Sequence, residues 1–556
     1  MDIGFGSAPL SLESRFVELD SPLLLTGIQA LVRVLLEQAR LDRAAGLRTA
    51  GLVSGYRGSP LGGLDQELWR RQDLLAASHI RFQPGLNEDL GATMLWGAQQ
   101  IDAFPGKRVD GVFGLWYGKG PGVDRSGDAL HCANMIGTSA QGGVIAVAGD
   151  DHAAQSSTYP HQTDQLFMGW FMPVLAPSDV QDVVDLGLAG IALSRFSGLW
   201  VALKTISEVA EQAGTVIVPS ARRFVLPSDA RIPPHGLNFD PKLHLPRDRT
   251  ELERRVVLER LPAVLAWARA NRLDRLVRGS EQSPIGLVTV GKAHKDALRA
   301  LDMLGLRSRP EIAIYKVALS WPLETEGIRR FAEGKRALLV IEEKRSFVEA
   351  QIRDALYNLP ADGRPSVEGK TDRAGATLLP EIMELSPEIV APALARFLRR
   401  AGLDIADPSL RTAPERPSSL LQRPPAFCAG CPHATSTQLP EGSLATAGIG
   451  CHAMAVDIPG KEGTFPTLTL THMGGEGVTW VGLAPFTDTP HVFANMGDGT
   501  YQHSGILAIR QAVAAGARIT FKILFNDAVA MTGGQPAEGH PTVPAIAAQL
   551  AAEGVR

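Results

Sequence analysis

The stretch 495–535, NMGDGTYQHSGILAIRQAVAAGARITFKILFNDAVAMTGGQ, narrows the choice of fold more than any other part of the chain. Two short apolar runs, 492–495 and 519–525, each end at polar residues, and helical periodicity over 504–514 lies between them. That pattern predicts two adjacent parallel strands whose polar turns meet at one carboxyl edge, where open α/β sheets bind ligands. The first turn holds Gly497-Asp498-Gly499, and after 26 residues the second holds Asn526-Asp527-Ala528. Glycine lets backbone approach a diphosphate closely. The Asp498 carboxylate and the Asn526 side-chain oxygen suit one divalent cation bridging the two phosphates, with the Ala528 carbonyl as third ligand. The helix 504–514 would turn its amino end toward phosphate. Asp-Gly pairs are also ordinary turn formers, so the spacing and flanking strands carry this expectation, not the triplet alone.

With 556 residues the chain has room for three or four domains, each with its own core. Apolar runs and helical periodicity alternate through the first 220 residues: helix 27–43, strand 48–55, strands 109–117 and 143–148, helix 183–194 and strand 199–206. Residues 221–283 are Pro- and Arg-rich, then helical over 249–271, and read as linker plus connecting helix. A second α/β unit over 284–404 has strands 285–290, 311–317 and 337–341 with helices 293–303 and 347–357. A Pro-rich linker covers 405–426, and the diphosphate signature lies in 427–556. No repeat of fixed short period is present. Residues 544–553 predict a helix with a turn after it, so the last sheet is expected to stop before its final strands, as in a truncated or split chain.

Composition excludes several classes. A net charge of −4 gives no electrostatic case for nucleic acid or an anionic membrane. The opening residues lack the basic-then-apolar pattern of a secretion signal, and no apolar run approaches the roughly 18–20 residues that span a bilayer. Four cysteines in so long a chain make no disulfide scaffold. A soluble cytoplasmic enzyme is expected.

The GDG-to-Asn spacing resembles the signature of thiamin diphosphate (ThDP) enzymes. Such enzymes need a carboxylate on the aminopyrimidine ring, favouring the tautomer that activates the thiazolium. Glu88, in FQPGLNEDLGATMLWGAQQ, is the candidate, although a helix-start carboxylate also serves the helix dipole. Cys428-Ala-Gly-Cys431, with Cys451 twenty residues on, has the spacing of three metal or cluster ligands. Zinc with His433 or His452 as fourth ligand, and buried free thiols, remain open readings. Residues 116–128 lack P-loop order, and Gly291 follows its strand without the dinucleotide fingerprint. Lys119 is read as a solvated loop lysine, with contact to a substrate carboxylate as the alternative. His131 and Cys132 read as packing residues, and nothing in the spacing requires proton transfer by His152 and His161.

GYRGSP, LNED, the 143–152 run ending GDDH, the Ser156-Ser157 pair and FCAGCPH occur in the order found in indolepyruvate ferredoxin oxidoreductases, and nearly the whole chain resembles this family of the 2-oxoacid:ferredoxin oxidoreductase superfamily. The resemblance implies an α/β multidomain architecture of doubly wound parallel ThDP-fold sheets. The pyrimidine-binding domain would be 1–220, a transketolase C-terminal-like domain 284–404, and the diphosphate-binding domain 427–556, incomplete at its end. It implies Glu88 as the pyrimidine carboxylate and Ser59 near substrate or thiazolium. It further implies Mg²⁺ on Asp498, Asn526 and Ala528, and a [4Fe–4S] cluster on Cys428, Cys431, Cys451 and a fourth cysteine further along. The implied reaction is oxidative decarboxylation of a 2-oxoacid, an arylpyruvate such as indolepyruvate, with coenzyme A taking the acyl group and ferredoxin the electrons. A gamma-type domain or subunit and a homodimer or larger assembly are expected partners. A non-redox ThDP decarboxylase or carboligase, and a non-catalytic subunit, are the competing readings.

Overall fold

The computed structural model describes residues 12–243, 246–361, 363–405, 426–458 and 466–556. The Pro-rich stretch 405–426 lies, apart from its two end residues, outside the described residues, as do the first eleven. The chain divides into two compact units, Met1–Arg411 and Thr412–Arg556.

In the first unit the apolar runs become a seven-stranded sheet. Its spatial order is Leu319–Trp321, Val174–Leu175, Val201–Ile206, Val144–Asp150, Val112–Lys119, Ala50–Gly55 and Ile80–Phe82. Every neighbouring pair is parallel except the first. Val144–Asp150 and Val201–Ile206 are buried at every position, as central strands of a sheet covered on both faces must be. Helices Gly27–Ala44 and Val180–Ser197 supply one covering layer through residues such as Leu31, Val34, Val183 and Ile191. On the other face Leu95 of helix Glu88–Gln99 packs with Trp116 and Trp200. The Gly27 helix starts where expected because Thr26 and Gln29 cap each other reciprocally, each bond 3.1 Å.

A five-stranded sheet follows, in the order Ser366–Glu368, Ala337–Ile341, Ile285–Val290, Ile312–Val317 and Arg275–Arg278. One residue after Val317 the chain leaves this sheet, and Leu319–Trp321 pairs antiparallel with Val174–Leu175 of the first. The Asp274 carboxylate accepts from the backbone N–H of Ala318 at 2.7 Å and of Leu319 at 2.9 Å. Residues 284–404 thereby share a strand with the first sheet inside one unit. Periodicity gave no sign of this three-residue strand, which is too short to show a period. The connecting helix runs as Arg249–Arg255, a wider turn Val256–Arg260, and Leu261–Ala270. Buried Arg260 ties it down by donating to the carbonyls of Leu237 (2.7 Å) and Met135 (3.1 Å).

The second unit has four parallel strands in the order Thr467–Leu470, Ala445–Ala447, Val492–Gly497 and Ile519–Leu524. The two runs flanking the signature are neighbours, in register from Val492 opposite Ile519 to Gly497 opposite Leu524. The helix between them begins at Asp498, six residues before the expected start, and continues through Tyr501–Gly505 into Ile506–Ala514. Gly499, Gln502, His503 and Ser504 interrupt the apolar period there and hide the first turns from the sequence. Met496, Tyr501, Ala508, Ile509 and Ile546 form the core on that side. Among the described residues no helix is long and apolar enough to cross a membrane.

Candidate active site

In the second unit the parallel order brings the residues after all four strands to one edge. Asp498 opens the helix there with 2 % of its surface exposed. Its Oδ1 accepts from Gly499 N–H at 2.9 Å, and its Oδ2 from the N–H groups of Asn526 at 3.0 Å and Asp527 at 2.6 Å. Asn526 Oδ1 accepts from Ala528 N–H at 3.1 Å, and Asp527 takes a left-handed φ of 54° to close the turn. Asp498, Asn526 and Ala528 are thus brought together by direct bonds. A carboxylate has about four acceptor positions, so Asp498 keeps one for a cation. Carboxylate, amide and carbonyl oxygens are the donor set of Mg²⁺. Beside them, a Cβ placed on Gly497 would find no atom nearer than the His452 ring at 4.0 Å, which leaves open space for a phosphate.

The same region contains polar atoms the sequence reading did not single out. Asn495 has no exposed surface, yet neither its Oδ1 nor its Nδ2 has a partner. His452 Nε2, Glu476 Oε1 and Thr446 Oγ1 are likewise buried and unpaired. Buried polar groups are normally satisfied, so these atoms call for a polar ligand, and the residues present fit a bound diphosphate cofactor. Glu476 lies against Gly448, where a Cβ would meet its Oε1 at 2.1 Å, and its Oε2 accepts from Gly474 N–H at 2.8 Å. Burial pushes its carboxyl up to about 7. Burial, with His433 nearby, holds the His452 imidazole down to about 4 and hence neutral. One sequence signal was available: Asn495 interrupts an otherwise apolar strand, and such local violations concentrate at functional sites.

The cysteines give a more limited result. Cys431 N–H donates to Cys428 O at 3.0 Å in a turn that Gly430 permits with φ 74°. The Cys451 thiol is pushed up by burial and then by the charges of Cys431 and Cys428, so the three share a neighbourhood. Among the described residues, however, no three His, Cys, Asp or Glu side chains stand close enough to hold a metal ion. As arranged, neither the expected cluster set nor the zinc set with His433 or His452 is closed among the described residues. Cys132 lies apart, its sulfur 3.7 Å from Asp128 Oδ1 in the first unit.

Glu88 and Ser59 belong to the first unit. Glu88 is the first residue of its helix, 6 % exposed, behind an Asn87 cap that accepts from Leu90 N–H at 3.1 Å. Its backbone carbonyl accepts from the Trp116 indole at 2.9 Å. Gly122 exists to make room for it: a Cβ there would come within 2.6 Å of Glu88 Cγ and 2.8 Å of Oε1. The helix packs on the end of strand Ala50–Gly55, since a Cβ on Gly91 would lie 3.0 Å from Gly55 Cα. The half-buried Ser59 sits on the loop leaving that strand, and Arg57 fixes the loop through a buried ion pair to Asp65 at 2.9 Å. The Tyr117 hydroxyl also bonds Asp65. Ser59 and Glu88 therefore occupy one carboxyl edge.

Comparison with known proteins agrees with this geometry. Residues 275–414 match the family model of the indolepyruvate oxidoreductase domain, and residues 448–549 that of the thiamine pyrophosphate enzyme C-terminal TPP-binding domain. The indolepyruvate oxidoreductase subunit IorA of Methanothermobacter thermautotrophicus is 26 % identical over 534 residues, covering 94 % of this chain and 77 % of that one. The IorA subunit of Archaeoglobus fulgidus is 26 % identical over 439 residues, covering 75 % and 64 %. Among solved structures, a 2-oxoglutarate:ferredoxin oxidoreductase from Magnetococcus marinus is similar at a TM-score of 0.47 and 15 % identity, covering 68 % of this chain and 66 % of that one, too distant to bear on function. The two domain matches and the IorA relatives, similar over most of this chain, support a thiamin diphosphate-dependent subunit of the indolepyruvate oxidoreductase type.

Proposed function

We propose that this chain is the ThDP-binding subunit of an enzyme that oxidatively decarboxylates an arylpyruvate such as indolepyruvate, with coenzyme A as acyl acceptor and ferredoxin as electron acceptor. The observation that carries the reading is the Asp498–Asn526–Ala528 arrangement beside buried, unpaired Asn495. Bound ThDP supplies the electron sink that lets CO₂ leave from a 2-oxoacid. Asp498, Asn526 and the Ala528 carbonyl hold Mg²⁺ on its diphosphate. Gly497 and Gly499 keep side chains out of the phosphate's way. Glu88 holds the proton exchanged with the aminopyrimidine, and Ser59 faces the reacting end. We further propose that residues 1–220, 284–404 and 427–556 are the pyrimidine-binding, transketolase-like and diphosphate-binding portions, that the enzyme works in the cytoplasm, and that the site is completed in a homodimer or larger assembly. No electron step is assigned to Cys428, Cys431 and Cys451; iron–sulfur chemistry on a gamma-type partner subunit meets the redox requirement.

The test is anaerobic turnover of indolepyruvate by the chain with its partner subunit, following CO₂ release and ferredoxin reduction. Coenzyme A-dependent reduction is expected, with loss of at least about 100-fold in Glu88→Gln, the usual scale of a general acid–base contribution. CO₂ release without any ferredoxin reduction would overturn the redox assignment in favour of a simple decarboxylase.

A further inference from the structure

The strand ends that present the diphosphate signature supply no fixed positive charge. The segments 445–457, 471–477, 492–505 and 524–529 contain neither lysine nor arginine. An anion held there is met by Mg²⁺, by backbone N–H groups and by neutral side chains. Within this edge lies a carboxyl group that none of those roles has used. Glu476 follows the strand Thr467–Leu470 and has no exposed surface. Its Oε2 accepts from Gly474 N–H at 2.8 Å, whereas its Oε1 makes no hydrogen bond.

Two turns hold this side chain beside the signature helix. A Cβ on Gly448 would lie 2.1 Å from Glu476 Oε1, and the carbonyl of the next residue, Ile449, accepts from the Thr500 hydroxyl at 3.3 Å. On its own turn, a Cβ on Gly474 would lie 2.0 Å from Ser504 Oγ. Thr500 and Ser504 belong to the helical turns that Asp498 opens. The titratable groups on these segments are His472, Cys451, His452, Asp457, Asp498 and His503. Burial pushes the Glu476 carboxyl up to about 7, against the lowering pull of its own N–H and those of Gly474 and Ile449. An ionised Glu476 would repel a neighbouring diphosphate with no cation of these segments to offset it. The neutral acid instead has an O–H to donate.

We propose that Glu476 meets the cofactor's diphosphate as a neutral acid, its Oε1–H donating to a phosphate oxygen, so that ThDP uptake carries a proton with it whenever Glu476 starts ionised. The inference rests on the proposed ThDP reading, which puts a diphosphate at this edge. The proton comes from solvent and stays on Glu476 while the cofactor is bound. Below pH 7 the free chain already has the acid in its binding form, and affinity does not depend on it. Above pH 7 the affinity falls by up to about tenfold per pH unit, because one proton is taken up with each cofactor. Glu476 thereby ties cofactor loading to pH.

The experiment is calorimetric titration of ThDP with Mg²⁺ into the full chain and its Glu476→Gln variant at pH 7, 8 and 9, each in two buffers of different protonation enthalpy. Glutamine keeps a donor and cannot ionise. Wild type is expected to bind about 10- to 50-fold more weakly at pH 9 than at pH 7 and to take up close to one proton at pH 8. The variant is expected to match wild type within about threefold at pH 7, to hold that affinity to pH 9, and to take up about one proton fewer at pH 8. The same pH slope and proton count in both proteins overturns the inference. So does a variant weakened equally at every pH, which would mark a packing role. Should the variant not fold, the wild-type proton count decides alone, and no uptake at pH 8 overturns the inference. A wild-type chain that takes up no ThDP at any pH overturns the functional reading with it, whereas ThDP uptake without the Glu476-linked proton overturns this inference alone.

Discussion

The two units are built from the same kind of parallel sheet and differ in the groups that their carboxyl edges present. In the first unit, Val144–Asp150 and Val201–Ile206 are buried at every residue, and strand-end charges mostly meet protein partners, as Lys204 meets Asp164. In the second, the edge strands Ile519–Leu524 and Thr467–Leu470 are each buried at one residue, as the edge strand Ile80–Phe82 is in the first, and the central strand Ala445–Ala447 is buried throughout. There Asn495, in a central strand, has an amide bonded to nothing. Both units leave buried polar atoms unpaired, Asp150 and His152 in the first and Asn495 and Glu476 in the second, at a cost that a polar partner would offset. The first unit carries Glu88, and the second carries the Asp498 carboxylate in a turn of N–H groups, the proposed diphosphate site.

The sharpest way to break this comparison is Asp498→Ala. It removes the proposed cation ligand and also a carboxylate serving three N–H groups, so cofactor affinity should drop at least about 100-fold. The second unit should lose about 3 kcal/mol even without cofactor, given that hydrogen bonds to charged groups contribute about 1.5–3 kcal/mol. Hydrogen exchange measured by segment reads both effects, and destabilisation of 144–150 as well would show that the units are not distinct. Gly122→Ala probes the scaffold. Its new Cβ displaces Glu88, so turnover should fall about 10- to 100-fold while ThDP affinity stays within about threefold. A matching loss of affinity would mean that Glu88 is holding the cofactor instead of activating it.

Two smaller effects sharpen the contrast. Glu476 titrates near 7 when folded, against an ordinary 4.5, so the folded chain binds the extra proton between those values. Its contribution is most favourable below pH 4.5 and is lost as pH rises through 7. His452 acts oppositely, destabilising the fold as pH falls from 6.5 toward 4. Denaturation of Glu476→Gln against wild type isolates the first: the variant should gain about 2–3 kcal/mol at pH 8 and show no difference near pH 4. Equal stability at both pH values would mean that Glu476 is not buried as an acid. Finally, ThDP with Mg²⁺ at about 100 times its Kd should add about 2.7 kcal/mol, seen as slower exchange at 498–503 and 526–529 and no change at 144–150. Uniform slowing would dissolve the distinction.

Much of this was legible in the sequence, for physical reasons. The 492–497 and 519–524 strands stood out because apolar runs end abruptly in glycine, aspartate and asparagine. The 26-residue gap placed Asp498 and Asn526 together because a helix must fit between adjacent parallel strands. Glu88 needed the family resemblance, since a carboxylate at a helix start is too common to point anywhere. The helix turns from Asp498 to His503 were hidden because Gly499, Gln502 and His503 break the apolar period there. The strand Leu319–Trp321 was too short to show one. Lys119 ends a strand and is half-buried, its stem lying over Gly58, which a lysine between glycines does not announce. Cysteine spacing suggested a ligand set, but spacing cannot say whether three sulfurs close into one.

The central claim is that the second unit is a Mg²⁺-dependent diphosphate receptor. Calorimetric titration of ThDP into the full chain, with and without Mg²⁺ and with Asp498→Ala, tests it most directly. The account predicts one ThDP per chain at micromolar Kd with Mg²⁺, at least about 100-fold weaker binding without it, and the same loss in the variant. Binding indifferent to both Mg²⁺ and Asp498, or no binding by a folded wild-type chain, would contradict it.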